Sequence, residues 1–458
     1  MSFDIKVFQR HLLDAQIAIL GDNVHGSQTL MSYGWEIRKR LYGIGIRMLK
    51  DMEFSEVSLS DWISPNELSS LNSIARIIKN YLYIEVGNFY MAASHEITAY
   101  LFAKKYLKYF PQTKLPLNFF HIGSVYRYSR NTKFPFSYGE RKSFLECYSI
   151  HDSENSAKDF LSVGCEWNRK IIQKILKLPS IEVERPLITN KPTSRKTICI
   201  DSLTPFGATI ITGMTYFHDD IFTGLLSVKQ KNLITRKNQL MHSVHFGISD
   251  NIFFSYLLNA HDEQGFYLLS ELAPYQVSII YDMIIPDYQE VRQKIINFLE
   301  KKQIRYEIKG VKRSKIKKAV RRNMLCGIPV TILVCCSKKS GVNIKILTKI
   351  QQHYSPSLSF EKIPVLLKKN DDHVYKKFRE QERSSIVQCD SVNEADNVVQ
   401  SGKIAKVFLN NCDKNITDLE SKLRGGEILG FKTKNKNIGK DIITGCDTSI
   451  IAFISRRI

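Results

Sequence analysis

The densest chemistry-bearing stretch of the chain is basic. Between Lys301 and Ile350 fifteen Lys and Arg residues stand against one acid, Glu307, and the tightest part reads KGVKRSKIKKAVRRN. Placed on a helix from Ser314 to Asn323, Lys315, Lys318 and Arg322 fall on one face, with Lys317 and Arg321 beside them and Lys312 and Arg313 leading in. Ile316 and Val320, four residues apart, give such a helix an apolar stripe for docking. Cations in that arrangement suit tracking a phosphate backbone, and the plainer alternative is a solvated helix face. A second concentration runs from Leu115 to His151, where Arg127 and Glu146 lie on strand-like runs around a polar segment holding Glu140 and Arg141. Taken alone, Arg127 and Glu146 could simply pair with each other as strand residues.

Metal chemistry has no comparable signal. His95, His121, His151 and His261 lie at no ligand spacing and read as packing or surface histidines. The nine cysteines are scattered, odd in number and without a Cys-x-x-Cys pair, so neither a disulfide framework nor a thiolate zinc site is expected.

Composition bounds the rest. At 458 residues and 43% hydrophobic content, the chain can bury a sizeable core divided over two or three domains. A net charge of +21 points to a polyanion as partner, with nucleic acid ahead of an anionic membrane surface. No apolar run approaches the ~20 residues of a membrane helix, and MSFDIKVFQRHLLDAQ has no secretory h-region. Asp4 and Asp14 interrupt the acid-poor pattern of an organelle import peptide, which leaves a cytoplasmic location as the expectation.

The elements that must position these residues follow from periodicity. Up to about residue 270, helical stretches such as WEIRKRLYGIGIRMLKDM and HEITAYLFAKKYLKYF alternate with strand-like LNFFHIGSVYRY, ECYSIH and ATIITGMTYF. That pattern predicts an α/β (α+β) fold with a mixed, mostly antiparallel sheet flanked by helices. From Ala273 the order is strand (YQVSIIY), helix, strand (RYEIKG), the basic helix and strand (PVTILVCC), a small α/β domain. A polar segment and a strand-rich end, TSIIAFISRRI, follow. The expected divisions are 1–272, 273–356 and 357–458.

Six segments, ASHEITAYLF, LPLNFFHIGSVYRYS, FLECYSIH, VHFGISDN, HDEQGF and LAPYQV, follow one another in the order and spacing of a prolyl-tRNA synthetase, a class II aminoacyl-tRNA synthetase. The resemblance runs nearly end to end. VHGSQTLMSYGWEIRKRL is similar to the opening of that catalytic domain, and YEIKG to GIPVTILV resembles its anticodon-binding domain. GKDIITGCDTSIIAFISRRI resembles the C-terminal extension of archaeal-type members. Motif 1, represented by FSEVSLSDWISPNELSS with Ser60 near the usual proline, implies a homodimer.

What the resemblance implies for the site is mixed. Arg127 matches the motif 2 arginine that meets the α-phosphate of ATP, and Phe144 and Glu146 are further ATP-site remnants. Ser129 stands where the family has glutamate, and Glu140-Arg141 reverses its Arg-Glu pair, with Arg141 a candidate substitute for the loop arginine. Motif 3, Gly247 to Asn251, ends in asparagine where the family's arginine meets the terminal phosphates. Ser94-His95-Glu96 corresponds to the Thr-x-Glu that receives the proline ammonium. Its partner motif is replaced by Ile211, Met214 and Tyr216 around a retained Gly213. In the C-terminal extension Asp441 to Gly445 stands where archaeal-type members carry a Cys-x-x-Cys zinc pair, with Cys412 and Cys446 remaining, so zinc is not expected in this chain.

Three readings follow. The first is a catalytically impaired prolyl-tRNA-synthetase-like protein that binds tRNA or another RNA as a regulator or assembly partner. The second is a divergent but active proline–tRNA ligase using ATP and Mg, with a Lys or Arg from elsewhere replacing the motif 3 arginine. The third is a protein-interaction subunit binding neither ATP nor tRNA. No cofactor is certain on the sequence, and no membrane partner is expected.

Overall fold

The computed structural model describes residues 3–21, 28–69, 81–127, 141–186, 193–231, 237–283, 288–337, 341–350, 360–432 and 437–457. Two compact units emerge, one made of Met1–Asp22, Gln28–Gly43 and Leu257–Glu380, the other of Asn23–Ser27, Ile44–Tyr256 and Gln381–Ile458.

The second unit is built on one sheet of eleven strands. In chain order they are β1 (Ser55–Glu56), β2 (Leu117–Tyr126), β3 (Arg141–His151), β4 (Ser180–Glu184), β5 (Lys196–Leu203), β6 (Ala208–Asp219), β7 (His242–Ser249), β8 (Ile386–Gln388), β9 (Ile404–Phe408), β10 (Glu427–Lys432) and β11 (Ile451–Arg457). Across the sheet the order is β8-β9-β11-β10-β4-β5-β6-β7-β3-β2-β1. Pairing is antiparallel except for β1 with β2, β8 with β9 and a short contact of β6 with β11. This is the expected mixed, mostly antiparallel sheet. The C-terminal strands do not form a sheet of their own. They extend the central one through Phe431 opposite Glu184 and Ala208 opposite Arg456, with a separate apolar cluster beneath them around Ala405, Val407, Ile416 and Ile454.

Burial explains the composition of the central strands. All seven residues of β7 after His242 are buried, and β6 is buried at ten of its twelve positions, so both faces are covered and strict alternation is lost. One cover is helix α2 (Glu154–Arg169), capped by the Ser153 hydroxyl accepting from Ser156 N at 3.3 Å. Asn168 of α2 donates to Met214 O at 2.9 Å and to Thr215 Oγ1 at 3.1 Å, pinning β6. Gly213 faces that helix: a Cβ there would lie 2.6 Å from Ile172 Cδ1 and 2.9 Å from Asn168 Oδ1. The glycine is thus required by close packing of strand against helix. The helix that precedes α2 in the chain, α1 (Glu96–Tyr109), inserts Ile97, Tyr100, Ala103 and Leu107 into a core shared with Phe119, Tyr148 and Phe222.

The first unit contains a four-stranded sheet ordered Tyr306–Val311, Val277–Asp282, Val330–Ser337, Gly341–Thr348. The first three strands are parallel and the last is antiparallel. This is the predicted strand–helix–strand–helix–strand series with one strand more than the sequence suggested. The basic helix spans Ile316–Cys326, preceded by a 3-10 turn at Arg313–Lys315 and stopped by Gly327 at φ 75°, whose N–H closes on Asn323 O and Met324 O. Asn323 and Cys326 are its buried residues, and Ile316 and Val320 are half-buried as the apolar stripe requires. No described helix is long and apolar enough to cross a membrane.

Candidate functional site

The hairpin of β2 and β3 carries the first half of the site. Arg127 follows the end of β2, while β3 alternates Lys142, Phe144 and Glu146 along one face. Ser129 and Glu140 lie outside the described residues. Arg141 opens β3 opposite Tyr126. The Arg127 guanidinium donates from Nε to Ala93 O at 2.7 Å and stands 5.5 Å from the Phe144 ring centroid. It does not take Glu146, which is buried and bound instead by His95 at 2.6 Å.

Asn251, at the motif 3 position, is fully used by the protein's own groups. Its Nδ2 donates to Ile211 O at 2.9 Å and its Oδ1 accepts from Lys142 Nζ at 2.8 Å. Asp250 beside it accepts from Ser143 N at 2.9 Å. Lys142 therefore stands where the sequence offered no cation, and its only sequence signal was period-two spacing with Phe144 and Glu146. Burial first, and Arg127 second, push its ammonium down to about 7, with Asp250 acting the other way. Since the unfolded chain keeps that lysine charged to its ordinary value near 10.5, the native state is penalised at and below about pH 7 and relieved as pH rises towards 10.5. Lys142→Met is accordingly expected to raise stability by ~1–3 kcal/mol at pH 6.5, a gain that shrinks by pH 9.5 when urea unfolding is followed at both values.

Glu96 opens α1 with its carboxylate buried. Oε2 accepts from Ser94 Oγ at 3.0 Å, and Oε1 lies 3.3 Å from both His218 Nε2 and His245 Nδ1. Burial alone would raise its pKa, but a proton carried by either imidazole holds the carboxyl well below its ordinary range. Met214 and Tyr216, on the same face of β6, close over this carboxylate, and the Tyr216 hydroxyl donates to the Met214 sulfur at 2.9 Å. The cleft left between Ser94, Glu96, Arg127, Phe144, Met214 and Tyr216 has a volume of about 20 Å³. That is room for one water.

A second histidine group lies alongside. His95 is clamped by Glu146 at Nδ1 (2.6 Å) and Asp61 at Nε2 (2.9 Å), and these carboxylates outweigh burial to raise its pKa. His121 meets its ring edge-on at 4.5 Å. Of the four histidines without ligand spacing, His95 and His121 thus converge in space, whereas His151 pairs with Ser149 and Ser156 and His261 with His11; His218 and His245 stand beside the first pair without any signal in the sequence.

The first unit holds a separate groove of about 1410 Å³ lined by Arg10, Lys309, Lys315, Lys318, Arg321 and Arg322. Lys312, Arg313, Lys315, Lys317, Lys318, Arg321 and Arg322 are all exposed. Arg322 also bonds to Gln16 Oε1. Exposed, clustered cations beside a groove attract a polyanion electrostatically.

The loop from Asp441 to Gly445 is closed by the Asp441 side chain. Its buried carboxylate accepts from Asn410 N (2.7 Å), Asn415 Nδ2 (3.1 Å), Ile443 N (2.9 Å) and Thr444 N (2.9 Å). Cys412 and Cys446 are exposed. Asp441→Ala strands three backbone donors and is expected to lower stability by about 3 kcal/mol in urea unfolding at pH 7. Because these bonds hold the carboxyl below its ordinary value, their contribution is lost as pH falls through that lowered value.

No family model matches the chain. It is similar to the proline–tRNA ligase of Methanococcoides burtonii, 24% identical over 266 residues covering 56% of this chain and 55% of that protein. It is 23% identical over 443 residues to the proline–tRNA ligase of Pyrobaculum islandicum, covering 93% of this chain and 89% of that one. With the Mycoplasma mycoides proline–tRNA ligase it shares 27% over 189 residues, 41% of this chain and 38% of that protein. The chain thus spans little more than half the length of several curated relatives it matches. Among solved structures, prolyl-tRNA synthetase from Cryptosporidium parvum complexed with halofuginone and AMPPNP superposes at a TM-score of 0.85 with 14% identity, covering 98% of this chain and 96% of that one. The same synthetase complexed with L-proline and AMP also gives 0.85, at 13% identity and with 98% and 94% covered.

Proposed function

Since the chain is prolyl-tRNA synthetase-like in fold and in sequence, we propose that it binds tRNA or another structured RNA through the basic face of its small α/β unit and activates proline poorly or not at all. The observation that carries this reading is the state of Glu96. A carboxylate that is to receive a substrate ammonium needs an open approach, and here one oxygen is taken by Ser94 and the other is flanked by His218 and His245. The remaining cleft of about 20 Å³ admits a water and no pyrrolidine ring. The RNA half rests on seven exposed cations between Lys312 and Arg322, four of which line the groove of the other unit. Two assays test the two halves separately: RNA binding as a function of salt, and ATP–pyrophosphate exchange with each amino acid. Salt-independent or undetectable RNA binding would overturn the first half, and robust exchange the second.

One observation favours the alternative of a divergent working ligase. Lys142 converges with Arg127, so a second positive group does stand near the motif 3 position. It is a weak substitute, being close to half-deprotonated at neutral pH and already bonded to Asn251. If this reading holds, exchange declines as pH rises above about 7 and Lys142→Met abolishes it.

A further inference from the structure

Glu96, His218 and His245 meet from three elements, the first turn of α1 and two neighbouring strands. On β6 the register slips between Phe217 and Asp219, so His218 is the extra residue of a bulge. The bulge turns its ring towards Glu96. His245 is held between the rings of Tyr148 (centroids 4.5 Å, 6°) and Tyr216 (5.6 Å, 24°).

Two nitrogens of this group, His218 Nε2 and His245 Nδ1, are buried without a hydrogen-bond partner among the described residues. His218 Nδ1 lies 2.6 Å from Thr193 O, which can only accept, so Nδ1 carries the proton of the neutral ring and Nε2 presents a lone pair. That lone pair faces Glu96 Oε1, itself an acceptor, at 3.3 Å. His245 Nδ1 stands at 3.3 Å from the same oxygen, while its Nε2 lies 3.8 Å from Glu146 Oε1. Both facing nitrogens are buried and neither is aligned in a hydrogen bond. One proton would satisfy one of them, whereas a cation at their centre satisfies both and the carboxylate too.

We propose that Glu96 Oε1, His218 Nε2 and His245 Nδ1 bind a zinc ion whose fourth position opens on the one-water cleft. Bonds of ~2.0–2.1 Å in a tetrahedron set ligand atoms ~3.3–3.4 Å apart. Both separations from Glu96 are 3.3 Å, and the three atoms all lie within 4.8 Å of one another. The outer contacts also suit a metal site: Thr193 O on His218, Glu146 beside His245, and Ser94 on the second oxygen of Glu96. Two imidazoles, one carboxylate and one open position are a donor set that zinc favours. In the neighbouring trio Asp61, His95 and His121, His95 Nε2 stands 2.9 Å from Asp61 Oδ1, a hydrogen-bond distance shorter than the ~3.3 Å edge of a zinc tetrahedron. A zinc ion here neutralises the carboxylate that an amino-acid ammonium would need, and it occupies a different unit from the basic groove.

The test uses the full chain without a polyhistidine tag, purified without chelator, stripped, and reloaded with either zinc or cobalt(II). The expected result is about one zinc per chain after dialysis and the intense visible bands of four-coordinate cobalt. His218→Ala and His245→Ala, checked for folding by circular dichroism, should weaken binding by more than the ~10–100-fold that loss of an outer contact costs. Cys412→Ser with Cys446→Ser should leave it unchanged. Wild-type chain that holds no zinc above background and gives no cobalt bands overturns the site, as does binding that follows the two cysteines instead of the histidines. The cobalt spectrum of the wild-type chain decides the matter even if a histidine variant fails to fold.

Discussion

Proline-dependent ATP–pyrophosphate exchange by this chain is expected to run at least ~10²–10³-fold below that of a proline–tRNA ligase assayed beside it. Two separate changes lead to that figure. On the phosphate side, Asn251 is the proposed counterpart of the family's motif 3 arginine, and both ends of its amide are already bonded, to Lys142 and to Ile211 O. Losing one preorganised charge from a partly dry site costs about 3–4 kcal/mol in the transition state. On the amino-acid side, Glu96 is surrounded by Ser94, His218 and His245, with Met214 and Tyr216 filling the space above it. Restoring the cation alone, as Asn251→Arg, is therefore expected to leave exchange near background, because the second barrier is independent of the first. Exchange within tenfold of the reference ligase, with proline or any other amino acid, contradicts this.

Replacing Lys315, Lys318 and Arg322 together with alanine is expected to flatten the plot of log affinity for tRNA against log salt by about two to three. All three side chains are exposed and line one groove. Lys318 and Arg322 lie on a helix whose buried residues are Asn323 and Cys326, and Lys315 precedes it in the 3-10 turn, so the triple variant should keep its fold. Each cation that neutralises a phosphate releases counterions, and that release is what the slope counts. Fluorescence anisotropy over a salt series gives the slope directly. An unchanged slope in a folded triple variant would place the RNA contact elsewhere or nowhere.

Much of the architecture was legible because periodicity is local. The basic helix shows this: its cations and the Ile316 and Val320 stripe were placed correctly, although it starts at Ile316 and not at Ser314. The strand Gly341–Thr348 was missed where the sequence reading stopped at Cys336. The joining of the C-terminal strands to the central sheet was not legible, since Phe431 opposite Glu184 is a pairing across most of the chain that no short pattern encodes. The site divides in the same way. Ser94, Glu96, Arg127, Phe144, Met214 and Tyr216 were picked out and do share one cleft. Lys142 was hidden by an ordinary strand alternation. His218 and His245 were hidden because ligand spacing read along one element cannot see residues brought together by a bulge and a neighbouring strand.

Closure of the amino-acid pocket around Glu96 can be measured by equilibrium dialysis of radiolabelled L-proline against the folded chain, with and without a non-hydrolysable ATP analogue. The expected result is no retention above that of a non-binding control protein under either condition. Retention of one proline per chain, lost in Glu96→Gln, would show that the pocket opens and that the chain keeps the amino-acid half of a ligase.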